Sequence, residues 1–267
     1  MTDLTGKTAL VTGSTQGIGL AIATSMAAAG ARIAVHGLAD AETAAAVCAR
    51  LEAAGAPETR FFGHNMMDPD AITTMMDEVQ AWRPVDILVN CAGIQHTAPL
   101  ADMPPEKWEA IIAINLSAAF YTMRAAMPHM AEQGYGRVIN IASVHGLIAS
   151  REKAPYTAAK FGLVGLTRVA ALEYANQGDR KLGGVTANCI APGWVETSLI
   201  APQIDARAAA HGGDRDAGIA DLLAEKQPSQ RISDPSEIGA LALWLCDPVA
   251  HNVTGTAIPI DGGWTAQ

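Results

Sequence analysis

The chain has 267 residues, 49% of them hydrophobic and 17% charged, which allows a substantial core and falls in the size range of one α/β domain. That balance argues against disorder, and no uninterrupted apolar run reaches the roughly 20 residues of a membrane span, so a soluble protein with no membrane partner is expected. A net charge of -9, with no basic run to follow a phosphate backbone, argues against a nucleic-acid partner and means that an anionic substrate would need dedicated cations in its cleft.

The start, MTDLTGKTALVTG, moves straight into a strand pattern with no charged and then apolar leader, from which a cytoplasmic location is expected. Residues 8–12 (TALVT) read as a short buried strand, then comes the turn GSTQGIG, and then a helical pattern that ends at Gly30. Gly13, Gly17 and Gly19 allow a tight turn and a close approach to a pyrophosphate, which the helix amino terminus favours through its free N–H groups. The spacing is GxxxGxG rather than GxGxxG, but a second strand, RIAVHG, follows as a βαβ unit requires. At the end of that strand an acid would favour the ribose hydroxyls of NAD and an arginine the extra phosphate of NADP. Here stand His36, Gly37 and Leu38, and the lack of any Lys or Arg there or in the glycine turn favours NAD.

TRFFGHN and VDILVNCAG read as third and fourth strands, with helical segments at 39–54 and 69–82 between the early strands, an alternation that implies a parallel sheet. Asn65 at the third strand end could contact the adenine, and Asn90 to Gly93, including Ala92, form a small-residue turn beside the cofactor; each asparagine could equally be a plain polar cap. A helix over 106–130 carries Asn115 among apolar neighbours, and a buried amide there needs partners. A water anchored near Lys160 would be one.

The strand GRVINIAS ends in Ser143, whose hydroxyl then lies at a carboxyl strand end, where open α/β sheets place ligands. Pro155 suits a first helical position, and Tyr156 and Lys160, four apart, share a face of the helix that follows. An ammonium near the phenol would lower its pKa from about 10, so the trio could polarise a carbonyl or an alcohol. Such a pair is also common on helix surfaces. The strand VTANCIAP follows; 194–230 then lacks a strand pattern and reads as a helical lid with hinges at Gly212 and Gly213, or else a static insertion. The helix PSEIGALALWLC and the strand TAIPI would complete a seven-stranded sheet. Cys48, Cys91, Cys189 and Cys246 are scattered without a CxxC pair, so no metal and no disulfide is expected, only isolated buried thiols.

Taken together, GSTQGIG, NCAG, Asn115, Ser143, the YxxxK of Tyr156 and Lys160, and PGW at 192–194 resemble the short-chain dehydrogenase/reductase family over nearly the whole chain. The resemblance implies a single-domain, Rossmann-type doubly wound parallel sheet over 1–267, commonly tetrameric, that moves a hydride to or from a nicotinamide. It implies Tyr156 as acid/base, Ser143 on the substrate oxygen, Lys160 lowering the phenol pKa and binding the ribose, and Asn115 completing a proton relay. It further implies a cofactor cleft formed by Gly13, Thr15, Gly17, Ile18, Gly19, Leu38, Asn65, Asn90, Ala92, Gly93, Pro192, Gly193, Val195 and Thr197. The segments AGIQH, IASVHGLIAS, PGWV, QIDARA, EKQPS and DGGWTAQ are similar to the members of that family that oxidise (R)-3-hydroxybutyrate to acetoacetate with NAD. By that likeness Gln95, His145, Lys153 and Gln203 would hold the substrate carboxylate, Lys153 and His145 as cationic donors, with Trp194 and Trp264 around the methyl end. Cys91 and Asn65 depart from the family's usual Asn and Asp, and the segment NQGDRKLGG before VTANCIAP is longer than expected.

Overall fold

The structure, a computed structural model, describes residues 2–179 and 181–266. Seven parallel strands form one sheet in the order β3-β2-β1-β4-β5-β6-β7. They are β1 (Thr8–Val11), β2 (Arg32–His36), β3 (Thr59–Phe62), β4 (Ile87–Asn90), β5 (Tyr135–Ile141), β6 (Gly184–Pro192) and β7 (Ala257–Ile260). The helices are α1 (Gly17–Ala28), α2 (Ala41–Ala53), α3 (Pro69–Trp82), α4 (Pro105–Ile112), α5 (Ala118–Gln133), α6 (Ala154–Tyr174), α7 (Ala201–Ala210), α8 (Arg215–Ala224) and α9 (Pro235–Cys246). Asp40, Asp68, Asp214 and Asp234 each accept a backbone N–H at a helix start, which explains why α2, α3, α8 and α9 begin where they do.

The central strands are buried on both faces, so their side chains alternate between two apolar layers rather than between core and water. Val11, Ile33, Val35, Ile87 and Val89 pack with Ile22, Met26, Ile238 and Leu245 of α1 and α9. Leu10, Ala34, Leu88 and Val138 face Ile72, Met75, Val79 and Met127 of α3 and α5. The strand order reverses between β1 and β4, and the crevice above that point is where ligands of such sheets bind.

The predicted helix 106–130 is continuous from Pro105 to Gln133 but carries a π-helical turn at Ala113–Ser117, which sequence periodicity does not reveal. By length and composition alone this run is long and apolar enough to cross a membrane, although Glu106, Lys107, Glu109 and Arg124 interrupt it, so that no uninterrupted apolar run of that length occurs. Its buried Thr122 bonds to the sheet through Asn90, and Asn115 bonds to the chain after β4, contacts that belong to a core helix. Of the cysteines, Cys189 and Cys246 are buried and Cys48 and Cys91 half-buried, all free. The 176–184 segment turns tightly on Asp179, which bonds the backbone of Gly134, Gly183 and Gly184; Arg180 within it lies outside the described residues.

Region 194–230 consists of α7 and α8 joined by a turn at Gly212 and Gly213. Ile204, Leu222 and Leu223 are buried against Trp194, Trp264 and Val144, each burial contributing about 2 kcal/mol. This pair of helices therefore rests on the site in a packed position.

Candidate functional site

A cavity of about 360 Å³ occupies the carboxyl edge of the sheet, from the glycine turn and the end of β2 to the tryptophans below α7 and α8. Its glycine end is shaped by backbone proximity. Gly13 has φ +67°, and a Cβ there would lie 2.9 Å from the Cα of Ala92; a Cβ on Gly19 would lie 2.2 Å from the Gly13 carbonyl oxygen. Only glycines let the turn fold this tightly under the start of α1, and the cradle they form fits a diphosphate. Gly13, Thr15, Gly17, Ile18, Gly19, Leu38, Asn65, Ala92, Gly93, Pro192, Gly193, Val195 and Thr197 all line the cavity.

Asn90 does not. Its side chain lies beneath the cavity floor, where it accepts from Thr122 Oγ1 at 2.7 Å and donates to Asn140 Oδ1 at 2.8 Å, and Asn140 in turn donates to Thr167 Oγ1 at 2.8 Å. This satisfied buried chain ties α5, β4, β5 and α6 together, so Asn90 fastens α6 to the sheet instead of facing a ligand. Asn115 is also outside the cavity. Its carboxamide accepts from the Ile94 N–H and donates to the Ile94 carbonyl, both at 2.9 Å, and so fixes the strand end that carries Gln95. A void of about 10 Å³, room for one water, lies between Asn115, Asn90, Thr12 and Lys160.

Ser143, Tyr156 and Lys160 converge on the cavity wall. Ser143 Oγ accepts from the His145 N–H at 3.1 Å, which leaves its own proton available to the Tyr156 oxygen or to a ligand. Lys160 Nζ donates to the Ile141 carbonyl at 2.7 Å and lies 5.6 Å from the centre of the Tyr156 ring. Burial pushes the phenol up to about 12, against the pull of its hydrogen bond with Ser143, and burial lowers Lys160 to about 8. Burial thus sets the direction of the phenol shift, and the lowering expected from Lys160 is not what dominates here. Desolvation disfavours phenolate and ammonium alike and is the largest cause of both shifts.

His145 is corrected in the same way. It is 3% exposed, and burial together with the charge of Lys153 lowers it to about 4, so it is neutral at pH 7 and not a cationic donor. Lys153 Nζ is 3.5 Å from His145 Nε2 and 5.0 Å from the Trp194 ring, and its pKa falls to about 8, first through burial and then through the charge of Lys226. Trp264 packs edge-on to His145 at 5.5 Å and tilted against Trp194 at 5.6 Å. Trp194 Nε1 is buried without a partner, a donor that a polar ligand would satisfy. Gln95 lines the cavity, but Gln203, half-buried on α7, does not.

Two further residues escaped the sequence reading. Gln227, 2% exposed, accepts the Trp194 N–H at 3.2 Å and so sets the turn that presents this tryptophan. Lys226 donates to Ser150 Oγ at 3.1 Å and pairs with Glu225 at 3.3 Å, linking the end of α8 to the loop before Lys153. Both lie in the segment EKQPS, whose spacing gives no hint of which side chain turns inward.

The sheet order, the glycine cradle and the Ser, Tyr and Lys group define an oxidoreductase of the doubly wound α/β class. The chain belongs to the short chain dehydrogenase family, whose sequence profile matches residues 7–208. It is 49% identical to a D-beta-hydroxybutyrate dehydrogenase of Cupriavidus necator, over 99% of this chain and all of that one. A protein of the same description from Rhizobium meliloti is 43% identical over 98% of this chain and 99% of that one. Among solved structures, a gluconate 5-dehydrogenase from Burkholderia cenocepacia in complex with NADP and tartrate superposes with a TM-score of 0.86 at 33% identity, covering 99% of this chain and 97% of that one.

Proposed function

We propose that the protein is an NAD-dependent dehydrogenase interconverting (R)-3-hydroxybutyrate and acetoacetate in the cytoplasm. The observation that carries this reading is Lys153: an ammonium 7% exposed, whose hydrogen-bonding partner is a neutral imidazole, inside a cavity walled by two tryptophans. Among the described residues Lys153 makes no salt bridge, the charge of Glu225 acting on it only from a distance, and a small carboxylate in the cavity would relieve the cost of that buried charge. The two hydroxybutyrate dehydrogenases of similar sequence favour the same substrate.

With the carboxylate at Lys153, His145 and Gln95, the substrate oxygen lies toward Ser143 and Tyr156. A bound nicotinamide dinucleotide supplies the hydride acceptor or donor and, when oxidised, a positive charge that favours the phenolate. Ser143 holds the oxygen, and Tyr156 takes the hydroxyl proton as the C–H electron pair leaves, or returns a proton to the carbonyl in reduction. Lys160 orders the ribose, and a water in the void beside Asn115 continues the proton path. NAD is favoured over NADP because, among the described residues, no arginine lines the cavity and its lysines are Lys153, beside Trp194, and Lys160, beside Tyr156, none coming from the segment after β2 that holds Gly37 and Leu38. We read α7 and α8 as a lid hinged at Gly212 and Gly213, whose further closure would bring Gln203 to the carboxylate. Exposed Phe120, Phe161, Val169 and Leu172 on α5 and α6 support assembly of copies into a homotetramer.

The test is NADH formation by the purified protein with (R)- and (S)-3-hydroxybutyrate, repeated with NADP. Turnover restricted to the (R) acid with NAD is expected; turnover only of a 3-oxoacyl thioester or a polyol would overturn the reading. Lys226 offers a second check. Removing its charge by Lys226→Met should let Lys153 hold its proton to higher pH, so the pH above which acetate stops competing with substrate should rise from about 8. An unmoved limit would show that Lys226 does not govern Lys153.

A further inference from the structure

His36 ends β2 and is 2% exposed, at the place where the sequence offers neither an acid nor a cation for the ribose. Its ring spans two loops. Nδ1 lies 3.2 Å from the Gly13 backbone nitrogen, and Nε2 lies 3.0 Å from the His64 carbonyl oxygen. An amide N–H only donates and a carbonyl only accepts, so the ring must be neutral with its proton on Nε2. The backbone is tied to the same turn: Ser14 N–H donates to the His36 carbonyl at 2.8 Å, and His36 N–H donates to Ser14 Oγ at 3.0 Å. His36, Gly13, His64, Asn65 and Met66 all line the same end of the cavity.

We propose that His36 is a positioning residue of the dinucleotide site, whose neutral imidazole locks the glycine turn to the loop after β3, so that the cleft accepts its cofactor only while Nδ1 is unprotonated. The proposal rests on the reading that this cavity holds a nicotinamide dinucleotide. A proton on Nδ1 would set two donors against each other at Gly13, and the ring is too enclosed to turn to water instead. The titratable groups facing it are His64, on the loop after β3, and beyond it Glu78 of α3, 3.6 Å from His64 Nε2. Burial lowers the imidazole pKa from 6.5, against the pull of its hydrogen bond to the His64 carbonyl. The sign follows: the contact is intact above the ordinary histidine value and is lost as pH falls through the lowered one.

Fluorescence titration of the purified protein with NADH, from about pH 8 to about pH 5, tests this against His36→Gln and His36→Leu. A glutamine can accept from Gly13 and donate to His64 without titrating; a leucine fills similar space and does neither. The wild type should bind NADH progressively more weakly as pH falls toward the acid end, His36→Gln should stay within about threefold of neutral wild type and lose the acid weakening, and His36→Leu should be about tenfold weaker throughout. NADPH should follow the same pattern, since the turn and not the ribose is being held. Wild-type affinity in His36→Leu, an acid weakening unchanged in His36→Gln, or acid tightening of NADPH alone would overturn the proposal. Failure of the wild type to bind either dinucleotide would instead remove the reading beneath it.

Discussion

Tyr156→Phe is expected to lower turnover of (R)-3-hydroxybutyrate by about a thousandfold while leaving NADH affinity within about twofold. The substitution removes one oxygen from a ring that packs on Ile111 and Ala159, so the wall of the cavity keeps its shape. What is lost is the group proposed to exchange a proton with the substrate oxygen. Because burial holds the phenol up to about 12, its protonated form dominates at neutral pH and serves reduction directly. Oxidation needs the phenolate, so kcat/KM for the hydroxy acid should climb with pH in the wild type, and the phenylalanine variant should lose that slope. Steady-state rates across pH, with NADH binding followed by fluorescence, check both parts. Near-normal turnover in the variant would refute the role of Tyr156.

Lys153→Met should raise KM for 3-hydroxybutyrate by about 10- to 100-fold, the worth of a charge-assisted hydrogen bond in a dry site, with a smaller change in kcat. An uncharged ketone of similar size should lose little, and equal losses on both substrates would sink the carboxylate role. Methionine keeps most of the lysine volume beside Trp194, so the comparison reports charge more than packing. In the wild type the free ammonium titrates at about 8, and only the protonated form attracts the carboxylate. Affinity for a small carboxylate is therefore full below that value and declines as pH rises through it, whereas the variant should bind weakly at every pH.

These expectations depend on features that differ in how far the sequence reveals them. The glycine turn, the strand alternation and the one-face spacing of Tyr156 and Lys160 are local, and local patterns survive into the fold because each is satisfied within a few residues or by the sheet period. Ser143 and Lys153 reach the same cavity for a related reason: they bracket the short stretch between the end of β5 and the start of α6. Asn90 misled because its neighbours Ala92 and Gly93 do line the cleft, yet the β pleat turns the asparagine toward Asn140, fifty positions away in sequence. Gln203 lies on a helix whose seat is set by Ile204, Leu222 and Leu223, and the pattern QIDARA carries no record of that packing.

The sequence by itself therefore determined the architecture, the glycine turn and the meeting of Ser143, Tyr156 and Lys160 at the carboxyl edge of the sheet, since these follow from periodicity, turn chemistry and family likeness. Only the tertiary structure decided their charge states and their fastening. His145 is neutral, the Tyr156 phenol is raised rather than lowered, Lys153 answers to Lys226, and His36 braces Gly13, because each outcome depends on burial and on partners brought from distant parts of the chain. Desolvation is a property of the assembled interior, and no window of sequence contains it.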